Sequence, residues 1–308
     1  MTFLELAKKV LSDLKKPLTA NEIWETAKEQ GYDQKLNKQG KTPWATLGAQ
    51  IYVNVRDKAN TEFATVGKRP KRFYLKSQKL LFDIEKIEAE ENTQEIIKKK
   101  IGFLEKDLHS FLSYFANYHL NCFTKTINHS KSSKKEFGEW VHPDIVGCIF
   151  PIDEWDTEVL NLSSAIGNTS IKIISFELKR ELNLGNLRES FFQCVSNSSW
   201  ANESYLVAAE ISKNDDFMNE LTRLSSAFGI GVIRLDIEEP ISSEITLPAK
   251  TRDNLDWETI NKLTLNRDFK GFLKRIKNDL QSNEIRKEEY DKICEPEELI
   301  KLLKVKKI

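Results

Sequence analysis

No stretch of this chain is apolar for long enough to cross a bilayer, which takes about 20 residues. The opening MTFLELAKKVL carries charges inside its apolar pattern, so it lacks the uninterrupted core of a secretory signal. A cytoplasmic protein with no membrane partner is expected. Cysteine is scarce. The four, Cys122, Cys148, Cys194 and Cys294, are widely spaced with no CxxC, which excludes a disulfide scaffold and predicts reduced, buried thiols. His119 and Cys122 have metal-like spacing, but no second pair answers them. No glycine-rich phosphate loop is present, and Gly229-x-Gly231 precedes an apolar strand instead of following one, which excludes a dinucleotide signature. Net charge is also missing, at +0.

That zero conceals an asymmetry. Residues 1–76 hold 15 Lys and Arg against 8 Asp and Glu, so a basic segment precedes an acidic remainder. A basic module on an acidic body points to a polyanionic partner for the first part. With 308 residues, 40% of them hydrophobic, the chain can form two domains and a sizeable core.

Residues 1–76 read as three helices and a hairpin. Phe3, Leu4, Ala7, Val10, Leu11 and Leu14 recur at helical spacing. Thr19 with Glu22 forms a capping box for a second helix, which buries Ile23, Trp24 and Ala27 and stops at Gly31. Thr42 caps a third helix with Pro43 in its first turn. Two short β runs, 63–66 and 72–75, flank a basic turn. These are the parts of a winged helix-turn-helix, whose third helix enters the major groove while the hairpin reaches the backbone. Lys38, Lys41, Arg56, Lys68, Arg69, Lys71 and Arg72 are candidate phosphate contacts. Gln50 and Asn54, four apart, are candidates for base edges. Thr42 and Trp44 open the third helix and are counted with the DNA-facing residues, although Trp44, Leu47 and Ile51 are also core candidates. The sequence MTFLELAKKVL…PLTANEIWETAKEQGY…KTPWATLGAQIYVNVRD…RFYL, with its TP-x-x-T-L-x-A-x-I run, resembles the HARE-type helix-turn-helix domain. That resemblance implies a module that senses DNA sequence or base modification.

Residues 77–100 are densely charged and are expected to form a helical linker. From residue 101 to 308 the pattern changes. Phe103, Leu104, Leu108, Phe111, Leu112 and Phe115 mark a buried amphipathic helix that carries Glu105. Strands are expected at 144–150, 171–177, 205–211 and 231–235, with helices at 186–198 and 215–228. The order α-β-β-α-β-α-β suggests a mixed sheet flanked by helices.

The chemistry concentrates in IKIISFELKR, residues 171–180, and in His142-Pro143-Asp144 upstream. Side chains alternate along a strand, so Glu177 and Lys179 project to the same side. Two carboxylates can hold a hard divalent cation, and a neighbouring amine can orient or deprotonate water. The order of Pro143-Asp144 and Glu177-Leu178-Lys179 on successive strands resembles the PD-(D/E)xK nuclease superfamily. The resemblance implies metal binding by Asp144 and Glu177 and assistance to the water by Lys179. It further implies an acid near the metal at Glu105 and a glutamine at Gln193, although Asn197 stands where some branches place a tyrosine. Arg188, one turn before Gln193, is a further candidate for backbone phosphate. The two modules together are similar to restriction-associated proteins of the HrgA type.

The expected fold is α+β: a winged helix-turn-helix followed by a mixed-sheet, restriction-endonuclease-like α/β domain. The expected function is a restriction-type DNA endonuclease using Mg²⁺, with Mn²⁺ as the alternative ion and double-stranded DNA as partner. The rival is a non-catalytic DNA-binding transcription regulator with a nuclease-like dimerisation body. A homodimer would match the two-fold of duplex DNA. The apolar stripes of residues 257–276 are its candidate interface, unless they pack on their own domain.

Overall fold

The computed structural model describes residues 1–36, 43–67, 71–82, 103–128, 142–151, 155–165 and 171–305. The N-terminal part begins with α1 (Phe3–Leu14), α2 (Ala20–Glu29) and α3 (Pro43–Asp57). Capping boxes start the first two. Thr2 and Glu5 exchange hydrogen bonds of 3.2 and 2.9 Å, and Thr19 and Glu22 do so at 3.2 and 2.7 Å. Each box satisfies two amide groups that helix geometry leaves without partners, a contribution of about 1 kcal/mol. Strands β1 (Phe63–Val66) and β2 (Arg72–Leu75) pair antiparallel, and Leu18 bridges to Phe73 as a third short edge. Leu6, Val10, Leu11, Ile23, Trp24, Leu47, Ile51, Phe63 and Phe73 close the core between the helices and the hairpin.

The body is built on one six-stranded sheet. Its strands are β3 (Cys122–Thr126), β4 (Ile145–Ile149), β5 (Lys172–Leu182), β6 (Glu203–Ile211), β7 (Gly231–Arg234) and β8 (Glu244–Leu247), in that spatial order. The first three form an antiparallel meander. From β5 to β7 the strands run parallel, and β8 returns antiparallel. Helix α4 (Leu108–Leu120) covers one face, where Phe111 and Phe115 meet Ile145, Ile174, Phe176 and Val207. It enters β3 through Asn121, whose left-handed φ of 51° suits a short polar side chain. A small helix, α5 (Thr157–Ala165), lies between β4 and β5 in the chain. The parallel connections run through α6 (Leu187–Ser196) and α7 (Asp215–Phe228), which pack Phe191, Phe217 and Leu221 on the other face. The chain continues through α8 (Trp257–Leu263), α9 (Arg267–Ser282) and α10 (Pro296–Val305).

Elements β3, α5 and β8 do not stand out in the sequence. The run CFTKT is short and half polar, so it lacks both the length and the alternation that mark a strand. Of the expected charged linker, residues 76–81 form a tight 3-10 turn, and 83–100 lie outside the described residues. The stripes of residues 257–276 resolve toward self-packing: Ile260, Leu263, Phe269, Phe272 and Ile276 are buried against Phe123, Phe150 and Trp200 of the same chain. They are not an open dimer surface, although Trp257 remains 69% exposed. His119 is no zinc ligand here; it is buried, stacked on Phe115 and edge-on to Tyr52. All four cysteines are buried free thiols. Gly147 is glycine because a side chain there would run into the sulfur of Cys122 on the adjacent strand.

Candidate functional site

Strand β5 places the acids. Ile174, Phe176 and Leu178 face α4, so the alternate residues Ser175, Glu177 and Lys179 face the helices opposite. Register pairs Ile145 with Phe176, and one step further Asp144 stands across from Glu177. Its carboxylate is fixed: Asp144 Oδ2 accepts the Leu178 amide at 2.8 Å, and its carbonyl accepts the Ile127 amide at 2.9 Å. Lys179 Nζ donates to Glu177 Oε1 at 2.9 Å. Glu177 is 1% exposed, and its second oxygen, Oε2, is buried with no hydrogen-bond partner.

The electrostatics follow from that crowding. Burial pushes the Glu177 carboxyl up to about 7; Asp144 adds to the rise, Lys179 opposes it and Glu105 contributes a smaller upward push. Burial works against the charge on Lys179, but Glu177, Asp144 and Glu105 outweigh it and hold the amine's proton above its ordinary range. Glu105, in a turn at Glu105–Asp107 just before α4, is therefore within the field of the same cluster. Helix α6 lies alongside. The Cys194 thiol is raised by burial and next by Glu177, and Gln193 precedes it, half-buried, with its carbonyl accepting the Ser196 hydroxyl at 2.7 Å. Arg188, one turn earlier, is exposed and reaches Glu220 at 3.6 Å.

Among the described residues, no three His, Cys, Asp or Glu side chains could hold a metal by themselves. A pair of carboxylates still suits Mg²⁺, which keeps several waters and completes its shell with substrate phosphate oxygens. The donor set is hard oxygen, and the orphaned Glu177 Oε2 lacks a positive partner. The residues fit such an ion.

The basic module is arranged differently from the sequence expectation. Lys38, Lys41, Thr42, Lys68 and Arg69 lie outside the described residues. Gln50 is exposed on α3, while Asn54 is half-buried and accepts the Thr61 hydroxyl. Trp44 is not DNA-facing, since its ring packs on both the module's core and the body's, with Nε1 buried. Arg72 reaches Glu22 at 3.2 Å. Arg56 grips its neighbour Asp57 and points Nη1 at the His119 carbonyl, 3.4 Å away. Lys71 is not an open phosphate contact. It is 7% exposed and paired with Glu244 at 3.0 Å, because the body closes over it.

That closure is a built interface. Tyr52 Oη accepts the Ile245 amide at 2.9 Å, and the Lys71 amide donates to Ser242 Oγ at 3.1 Å. Lys71 Nζ sits 4.9 Å from the Tyr52 ring centre. Arg234 bridges Glu244 at 3.1 Å and the fully buried Asp236 at 3.2 Å. Ile241 packs on both cores and abuts Gly48. Sequence reasoning misses Tyr52, His119, Arg234, Ser242 and Glu244 as interface residues, because nothing in the sequence marks partners so far apart.

Residues 1–75 match the HARE-HTH family model, described as the helix-turn-helix domain of ASXL proteins and restriction endonucleases. The match implies DNA binding by this module and agrees with its three helices and hairpin. No curated protein and no solved structure matches the chain. Among the described residues, no helix is long and apolar enough to cross a membrane.

Proposed function

We propose that the chain is a restriction-type DNA endonuclease that hydrolyses phosphodiester bonds with Mg²⁺, or with Mn²⁺ in its place, under the direction of its HARE-HTH module. The observation that carries this reading is the buried Glu177, bound by Lys179 through one oxygen and unpartnered at the other, with Asp144 across from it. The arrangement of an antiparallel β3-β4-β5 meander, a helix and a parallel β6 supports it, because the acids then lie on the central strands as in the PD-(D/E)xK superfamily.

Asp144 and Glu177 would hold the ion, Asp144 being kept in place by the Leu178 amide. When bound, Mg²⁺ supplies a Lewis acid for the scissile phosphate and its leaving oxygen. Lys179 keeps its proton against three carboxylates, so its part is to donate to the attacking water and steady the charge that develops. Glu105 adds negative charge at the rim, and Gln193 lies on the helix beside the strand.

The test is incubation of the full chain with modified and unmodified duplex DNA in Mg²⁺ and in EDTA. Mg²⁺-dependent cuts that Glu177→Ala removes support the reading. DNA binding with no cleavage in any metal would leave a non-catalytic regulator instead.

A further inference from the structure

The flank of α3 and the base of the wing meet the body, not solvent. Around α3, Leu47, Ile51 and Val55 face the module's own core. Ala45, Gly48, Tyr52 and Arg56 form the next side, which receives α4, Ile241 and β8. Only the remaining side, with Gln50, is exposed. A major groove about 12 Å wide admits one helix, itself about 10–12 Å across. A second helix packed on its flank, at the usual spacing of about 8–10 Å between axes, would run into the sugar-phosphate edge of that groove. The interface also takes up a cation. Glu244 places its carboxylate on the Lys71 ammonium, where a DNA phosphate oxygen would otherwise lie, and Ser242 takes the Lys71 amide.

We propose that the body is a latch on the HARE-HTH module: the α3 flank and Lys71 are held by Glu244, Ser242, Ile245 and Ile241, and duplex DNA competes with the body for that face. The inference rests on the reading of the module as DNA-binding. The coupling is reciprocal, because whatever factor docking removes from DNA affinity, bound DNA removes from docking. The acids of the body then meet DNA only after the module has met a duplex good enough to open the latch.

Two measurements on the full chain test it. The first is hydrogen exchange at the Lys71 and Ile245 amides, which the latch protects, with and without a saturating duplex of about two helical turns. Exchange should rise at least about tenfold with DNA, the scale of an ordinary coupling. Protection retained in the complex overturns the proposal. The second is duplex affinity at fixed salt for Glu244→Gln and Ile241→Asp. Both should bind about tenfold tighter than the parent. The second adds a negative charge, so its gain cannot come from charge alone. Affinities within about twofold of the parent, with DNA bound in every case, overturn the latch and leave the DNA-binding reading standing. No affinity for duplex in the parent or either variant overturns both.

Discussion

Two lysine–glutamate pairs, one at each end of the molecule's chemistry, are built with opposite emphasis. At the module–body junction the lysine is the buried partner: Lys71 is 7% exposed and Glu244 33%. On β5 the glutamate is buried, at 1%, and Lys179 is 19% exposed. Burial pulls the Lys71 amine down against the pull of Glu244, while the Glu244 carboxyl is held low despite burial because both Lys71 and Arg234 face it. Glu177 has, among the described residues, one cation and two further acids around it, and its carboxyl rises to about 7. The first pair sits among enough positive charge to be complete. The second lacks a positive partner, as a site does when its missing charge arrives with the substrate or an ion. Ion pairs of similar length therefore have different meanings, and what separates them is the sign of the surplus around each.

The largest effect should come from breaking the second pair. Glu177→Ala is expected to lower DNA cleavage at least about a thousand-fold, since each lost ~1.36 kcal/mol of barrier stabilisation is a factor of ten and a metal site supplies several. Lys179→Met should cost about a hundred-fold. Single-turnover cleavage in excess Mg²⁺ measures both, and near-normal rates in Glu177→Ala would remove the site.

Breaking the first pair should cost stability. Lys71→Met leaves Glu244 with Arg234 and should lower unfolding free energy by about 2 kcal/mol, read from the urea midpoint at unchanged slope. No change would mean the junction is held by its apolar contacts alone.

The junction also carries a pH signature. Burial, then Lys71 and Arg56, lowers the His119 imidazole to about 3. An unfolded histidine near 6.5 takes up a proton that the folded one refuses. Stability is then fully present above about pH 6.5 and is lost as pH falls from there toward 3, by up to about 1.4 kcal/mol per unit. His119→Phe should flatten the melting temperature against pH in that window. A parent-like slope would place the dependence elsewhere.

The smallest effect sharpens the comparison from outside. Lys8 and Glu62 pair on the surface with both side chains more than half exposed. Lys8→Ala should change stability by less than about 0.5 kcal/mol in the same titration.

What sequence reading reaches depends on how far apart the partners stand. The capping box of Thr19 and Glu22 spans three residues, and the shared side of Glu177 and Lys179 spans two. Both follow from backbone periodicity. Asp144 needs the β4–β5 register to come opposite Glu177, and a family resemblance is what points to it without that register. The junction offers no such help. Tyr52 and Ile245 are 193 positions apart, and Lys71 and Glu244 are 173 apart. Lys71 in sequence is one more basic residue in a basic turn. Only the tertiary packing decides that its ammonium turns inward.

The buried thiols have a practical consequence. Cys122, Cys148 and Cys194 are at most 1% exposed and Cys294 6%, and burial raises each thiol above its ordinary range. Maleimides and similar probes need an accessible thiolate, so the native fold is silent to them. A cysteine introduced at the exposed Gln50 would carry the only label, and a fluorophore there could follow the third helix without first stripping the protein of its own sulfur.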